Sequence, residues 1–209
     1  MEHIVLLGDS IFDNESYVPG GEPVIEQLRA CIRPGGRASL LAVDGSVISD
    51  VAKQLARLPE DPTRLVVSVG GNDALGHSGI LDDAALSAAD VFASLARIQR
   101  EFIRAYREML QAVAAARTPT VICTIYDSVP GLQQEALAAL SVFNDAIIRA
   151  GVEHGLPILD LRFVCDEPRD YSSLSPIEPS ETGGMKIVKA IVRVVRSHDF
   201  DRGETMIYR

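Results

Sequence analysis

Five short apolar runs rich in β-branched residues recur along the chain, each followed by a stretch of helical periodicity. This alternation limits the fold more than any other feature. The runs are His3–Leu7, Ala38–Val43, Leu65–Val69, Thr120–Ile125 and Pro157–Leu161. Most are continuously apolar, the pattern of parallel strands covered on both faces. Helices are expected over Pro23–Ile32, Val47–Leu58, about Asp83–Ala116, Gln134–His154 and Gly183–Ser197. In the long one, Ile98, Phe102, Tyr106, Met109 and Val113 form an apolar stripe. Arg97, Arg100, Arg104 and Arg107 share the other face, with Glu101 and Glu108 at pairing distance, so that face reads as solvated and ion-paired. Five βα units in series imply a doubly wound parallel sheet with right-handed crossovers. No repeat or linker interrupts the 209 residues, so one domain over residues 1–209 is expected. A chain of that length buries about 70% of its unfolded surface.

Ligands of an open α/β sheet bind at the carboxyl ends of its strands. Residues just after the strands therefore share one rim: 9–14, 44–45, 70–77, 126–128 and 160 onward. Gly8-Asp9-Ser10 follows the first run directly. A serine there projects from a tight turn, exposed yet rigidly held, or else the Asp-Ser pair merely caps that turn. Gly70-Gly71-Asn72-Asp73 follows the third run. Its glycines allow close backbone approach, and Asn72 can offer an N–H to a developing oxyanion. Gly45, in Asp44-Gly45-Ser46, can give a backbone N–H to the same pocket or serve only as a turn glycine. Asp9, Asp13, Asn14, Asp73 and His77 stand on this rim as candidate substrate contacts. Asp9, Asp13 and Asp73 are also of the type that holds Mg²⁺, although the same residues serve as turn caps. The stretch Cys165–Thr182 is the longest without periodicity, and such loops in compact domains are often functional.

Together the first and third blocks, with Gly45 between them, resemble the SGNH (GDSL) hydrolase superfamily over essentially the whole chain. The resemblance implies a three-layer α/β/α sandwich around a five-stranded parallel sheet of flavodoxin-like order, and hydrolysis of esters. It also implies that Ser10 is the nucleophile. The oxyanion hole would come from the backbone N–H groups of Ser10 and Gly45 with the Asn72 side chain.

The last block departs from the family pattern. Asp-x-x-His is expected before the final helix, but this chain reads Ser175-Pro176-Ile177-Glu178-Pro179-Ser180, with Gly183 and Gly184 next. Ser175 thus stands for the acid and Glu178 for the histidine. His3 lies on the opposite rim, and His154 and His198 end helices that run away from the active one. Only His77 reaches the right side. Glu178 is the first candidate for general base and His77 the second. A carboxyl with its ordinary pKa near 4.3 needs burial to serve as a base. Pro176, Ile177 and Pro179 can provide burial, while the dipole of the following helix opposes the rise. The alternative is a catalytically impaired protein that keeps the fold and binds a small molecule.

A net charge of −9 argues against a nucleic-acid or anionic-membrane surface. Cys31, Cys123 and Cys165 are too dispersed for a disulfide framework or zinc site and read as unpaired thiols. No apolar run approaches the about 18 residues of a membrane helix, and no leader pattern precedes the first strand, so a cytoplasmic protein is expected. The expected partner is a small-molecule ester, with no cofactor, nucleic acid or membrane; a homodimer is left open. With 5 Tyr, 6 Phe and no Trp, and no large apolar lid, the composition leans towards small polar esters over long-chain lipids.

Overall fold

The computed structural model describes residues 1–81 and 87–209. Its strands are β1 (His3–Gly8), β2 (Arg37–Leu40), β3 (Arg64–Ser68), β4 (Thr120–Cys123), β5 (Ile158–Leu159) and β6 (Ile207–Tyr208). Its α-helices are α1 (Val24–Cys31), α2 (Val51–Leu55), α3 (Gly71–Leu75), α4 (Ala88–Ala115), α5 (Gln134–Glu153) and α6 (Glu181–Ser197).

All six positions of β1 are buried, as a strand covered on both faces requires. Its side chains alternate between two cores. Ile4 and Leu6 join one cluster with α1 and α6, while Val5 and Leu7 join another with α4 and α5. The result is a parallel sheet of order β2-β1-β3-β4-β5-β6 between two helical layers. This is the expected sandwich with one correction: the sheet has six strands, not five. The extra strand pairs only two residues, Ile207 and Tyr208, with β5. So short and half-exposed an edge carries no readable pattern.

The other boundary differences have local causes. The helix expected over Val47–Leu58 is split into a 3-10 turn, Ile48–Asp50, and the five residues of α2. The segment after Gly70 is not a plain loop but holds the short helix α3. Helix α4 starts behind Ser87, whose Oγ accepts the Asp90 N–H at 3.2 Å while the Asp90 carboxylate accepts the Ser87 N–H at 3.1 Å, a reciprocal capping box. Residues 83–86 of the expected helix lie outside the described residues. The stripe Ile98, Phe102, Tyr106, Met109 and Val113 is buried as expected. On the opposite face Arg97 pairs with Glu101, and Arg107 reaches across to Glu153 of α5 at 2.7 Å. The three cysteines are unpaired. No described helix is long and apolar enough to cross a membrane.

Strand β1 ends where its backbone touches the neighbouring strand. Gly8 has φ +125°, and a Cβ there would lie 1.7 Å from the Ser68 carbonyl oxygen. Only glycine fits that approach without displacing backbone. Gly8→Ala is expected to destabilise the fold by about 3 kcal/mol or more, read as a lowered urea midpoint; an unchanged midpoint would contradict the close approach.

Candidate active site

The turn after β1 is wound tightly around Asp9. The Asp9 carbonyl accepts the N–H groups of Phe12 and Asp13 at 3.1 Å each, and Asp9 Oδ1 accepts the Ile11 N–H at 3.2 Å. Ser10 sits at the head of this turn, 6% exposed. Among the described residues its N–H meets no acceptor, and neither does that of Gly45.

A side chain from α2 fixes this turn. The Gln54 amide spans the Gly8 peptide: Gly8 N–H donates to Gln54 Oε1 at 2.8 Å, and Gln54 Nε2 donates to Gly8 O at 2.8 Å. The same Nε2 reaches Ser46 Oγ at 3.4 Å. The second and third rim segments are tied together as well. Asn72 Nδ2 donates to Ser46 O at 2.9 Å, leaving its other hydrogen free, and Asp73 Oδ2 accepts the Ile48 N–H at 3.1 Å. Asp13 Oδ2 accepts the Asp44 N–H at 2.9 Å.

Glu178 arrives from the long loop before α6. Residues 171 and 179 form an antiparallel bridge, and between them Glu178 O accepts the Ser172 N–H at 2.8 Å. Flanking contacts pin the loop on both sides. Tyr126 OH donates to Ile177 O at 2.5 Å, and Asn14 Nδ2 donates to Pro179 O at 3.1 Å. The result is that Ser10 Oγ donates to Glu178 Oε1 at 3.3 Å, with Glu178 only 5% exposed. Glu178 Oε2 is buried with no partner among the described residues. Burial raises the Glu178 pKa above its ordinary 4.5, against the Ser175 and Ser10 hydroxyls, and the Asp44 charge adds to the rise.

Asp9 is perturbed further. Burial, with the nearby charges of Asp73 and Glu178, raises its pKa from 3.8 to about 7, against the pull of the Ile11 N–H. At neutral pH the site therefore holds a partly protonated carboxyl beside its serine.

Of the nine residues singled out in the sequence, Asp9, Ser10, Asn72, His77 and Glu178 line one cavity of about 190 Å³. Asp13, Asn14 and Asp73 do not line it. All three are consumed in holding the rim: Asn14, fully buried, also accepts the Val24 N–H at 2.9 Å and so starts α1. Gly45 lies exposed on the neighbouring turn at φ +76°, outside the cavity lining. Asp9, Asp13 and Asp73 are not among the clustered acidic groups of the described residues; those are Asp166, Glu167 and Asp170, and Lys186 already bridges them. His77 is exposed at the cavity mouth, stacked on Phe143 with ring centroids 6.4 Å apart, and it makes no hydrogen bond to Ser10. His3 is held by Asp61 and Ser39, His154 by the Ala150 carbonyl and His198 by Tyr208, all away from the site.

The cavity wall is apolar, formed by Leu95, Val129, Leu132, Leu140, Phe143 and their neighbours between α4 and α5. This runs against the lean towards small polar esters. The sequence reading also missed Gln54, whose signal is a lone amide on a short helix facing the first strand.

The model of the GDSL-like lipase/acylhydrolase family matches residues 6–184. No protein in the curated comparison matches the sequence. Among solved structures, the lipase Lip_vut3 from a goat rumen metagenome superposes with TM-score 0.70 at 18% identity, over 96% of this chain and 100% of that one. An α/β hydrolase enzyme from the metagenome of Lake Arreo, Spain, gives 0.68 at 18%, over 92% and 94%. The extracellular lipase of Streptomyces rimosus gives 0.66 at 19%, over 95% and 100%.

The raised Asp9 pKa has a sign that can be checked. The unfolded chain releases this proton near 3.8 and the folded chain near 7, so stability is full below about 4 and falls as pH rises to about 7. The gap corresponds to about 4 kcal/mol at most. Asp9→Asn, which keeps an acceptor for the Ile11 N–H, is expected to remove this loss. Denaturant unfolding at pH 5 and pH 8 reads it: most of the loss falls between these two values, so the variant should gain clearly more on the parent at pH 8 than at pH 5. Equal gains at both would show that Asp9 is charged throughout.

Proposed function

The chain belongs to the GDSL-like lipase/acylhydrolase family, and from that premise we propose that it is a serine ester hydrolase in which Ser10 is the nucleophile and Glu178 the general base. One observation carries the proposal: the 3.3 Å contact between Ser10 Oγ and Glu178 Oε1, with both residues buried at the end of the apolar cavity.

The chemistry follows from proton affinity and position. A carboxylate at its ordinary pKa takes a serine proton poorly, and raising that pKa narrows the gap. Burial raises it here. In acylation, Ser10 Oγ forms a bond to the ester carbonyl carbon as its proton passes to Glu178. The carbonyl π pair moves onto oxygen, giving a tetrahedral oxyanion. Collapse breaks the bond to the alkoxy group, which leaves with the proton from Glu178. Water then gives a proton to Glu178 and attacks the acyl carbon, and Ser10 departs with that proton. The oxyanion is served by the unpaired Ser10 N–H and the free Asn72 Nδ2 hydrogen, with the Gly45 N–H at the rim. Preorganised donors of this kind are worth about 10²–10³ in turnover each.

Ser10→Ala is expected to lower kcat on a nitrophenyl ester by about 10⁴-fold or more, and Glu178→Gln by about 10²–10⁴-fold. Glu178 acts only when ionised, so kcat in the parent should rise with pH on an acid limb centred above 4.5, and Glu178→Gln should lose that limb. Parent protein that neither turns over esters nor reacts with a fluorophosphonate probe would sink the proposal and favour a binding protein on the same fold.

A further inference from the structure

The backbone that seats Glu178 is carried by the segment that precedes it in the same loop. The Ser180 N–H, at the cap of α6, donates to Asp170 O at 2.9 Å, and Ser180 Oγ donates to Arg169 O at 2.7 Å. Tyr171 and Pro179 then form the antiparallel bridge, and the Ser172 N–H reaches Glu178 O itself at 2.8 Å. Helix α6 closes on the same segment, since a Cβ on Gly183 would lie 2.0 Å from Asp170 O. Wherever residues 169–172 sit, Glu178 is carried with them.

One side chain of α6 holds that segment. Lys186 Nζ donates to Asp170 Oδ2 at 2.7 Å and reaches Asp166 Oδ1 at 3.1 Å and Glu167 Oε2 at 3.3 Å. The last two carboxylates are about half exposed, and exposed pairs contribute little. Asp170 is different. It is fully buried, its Oδ2 also accepts the Glu167 N–H at 2.9 Å, and its Oδ1 has no partner among the described residues. Removing one partner of such a pair strands the other, and a stranded buried charge moves to water or takes up a proton. We infer that Lys186 is a positioning residue of the active site: through Asp170 it fixes how deeply Glu178 is seated beside Ser10. The role rests on Glu178 as the base. The titratable groups in electrostatic contact with Glu178 are Asp9 after β1, Tyr17, Asp44 after β2 and Tyr126 after β4, with the hydroxyls of Ser10 and Ser175. Lys186 is not one of them, so it acts through the backbone and not through its field.

These two modes of action have opposite signs. Loss of a nearby positive charge would raise the Glu178 pKa, whereas a Glu178 tipped towards water loses the burial that raises it. Titration of carbon-13-labelled Glu carboxyls by NMR reads the difference, with Glu178→Gln assigning the resonance. Lys186→Met, which keeps the apolar stem, is expected to lower the Glu178 midpoint by about one pH unit, and Lys186→Arg to restore it. On a nitrophenyl ester the acid limb of kcat should move with that midpoint. Turnover should fall about ten-fold, part of the 10²–10⁴ that a positioned base supplies. KM should change little, because neither Lys186 nor Asp170 lines the cavity. If Lys186→Met does not fold, Asp170→Asn takes its place: it keeps an acceptor for the Glu167 N–H, strands no buried charge, and should move the midpoint the same way by less. A midpoint that stays or rises in the folded variant would overturn the proposal, even where kcat falls with lost stability. Parent protein that hydrolyses no ester would defeat Glu178 as the base, and the NMR midpoint would still decide whether Lys186 seats it.

Discussion

The site hangs on one buried amide-to-amide contact, the Gln54 side chain spanning the Gly8 peptide with two 2.8 Å hydrogen bonds. Strand β1 ends here, where Gly8 runs against the Ser68 carbonyl; the Gly8 carbonyl itself accepts the Val43 N–H at 3.1 Å, and Gln54 adds to that bond. An unpaired buried peptide costs about 1–3 kcal/mol for each orphaned group. Gln54 accepts the Gly8 N–H and gives the Gly8 carbonyl a second donor, fixing the two peptides on either side of Gly8 that lead to Asp9 and Ser10. The same amide touches Ser46, whose carbonyl accepts from Asn72. One glutamine thereby sets the relative positions of the three rim segments. The serine is aimed by backbone geometry and by this clamp, without a histidine.

The second constraint is electrostatic. Three carboxyls, Asp9, Asp73 and Glu178, are partly or fully withdrawn from water around one hydroxyl, and burial raises the pKa of each. Asp73 recovers some of the loss from the Ile48 N–H and Asp9 from the Ile11 N–H. Glu178 is served by hydroxyls, and its Oε2 is left bare. Isolated buried charge is costly, so the fold spends stability where Glu178 sits. The loop that presents it is correspondingly well tied, by Tyr126 at Ile177 and by Asn14 at Pro179. A loose loop would let Glu178 swing into water, and its pKa would return to an ordinary value too weak for serine activation.

What was legible in the sequence follows from the range of each interaction. Strand β1 and the stripe of α4 are periodic over many residues, so their identity shows without a partner in view. Ser10, Asn72 and Glu178 were legible because they follow strands or flank a helix start, which the βα order places on one rim. Asp13, Asn14 and Asp73 share that rim too, and rim position alone could not separate pocket-facing groups from those turned inward to backbone N–H groups. Residues 207–208 were lost because two strand residues carry no period. Gln54 was lost because a polar residue on a five-residue helix declares its partner only when the helix is packed against β1. Helix α5 was expected from its bounds alone; which of its residues would line a cavity is a tertiary fact.

The apolar cavity bears on the proposed chemistry as well. Ile177 and Glu178 are neighbours on the loop, and both line the cavity that Leu140 and Phe143 of α5 also line. An apolar group laid along Leu140 and Phe143 would displace water from the Glu178 side of the cavity. A carboxylate stripped of water is a stronger base, because desolvation disfavours its charged form. A histidine would not respond this way, since desolvation lowers the basicity of a group that is charged when protonated. Under the proposed mechanism, glutamate in place of histidine ties activation of Ser10 to desolvation of the cavity, and the apolar wall and the carboxylate base become two parts of one arrangement.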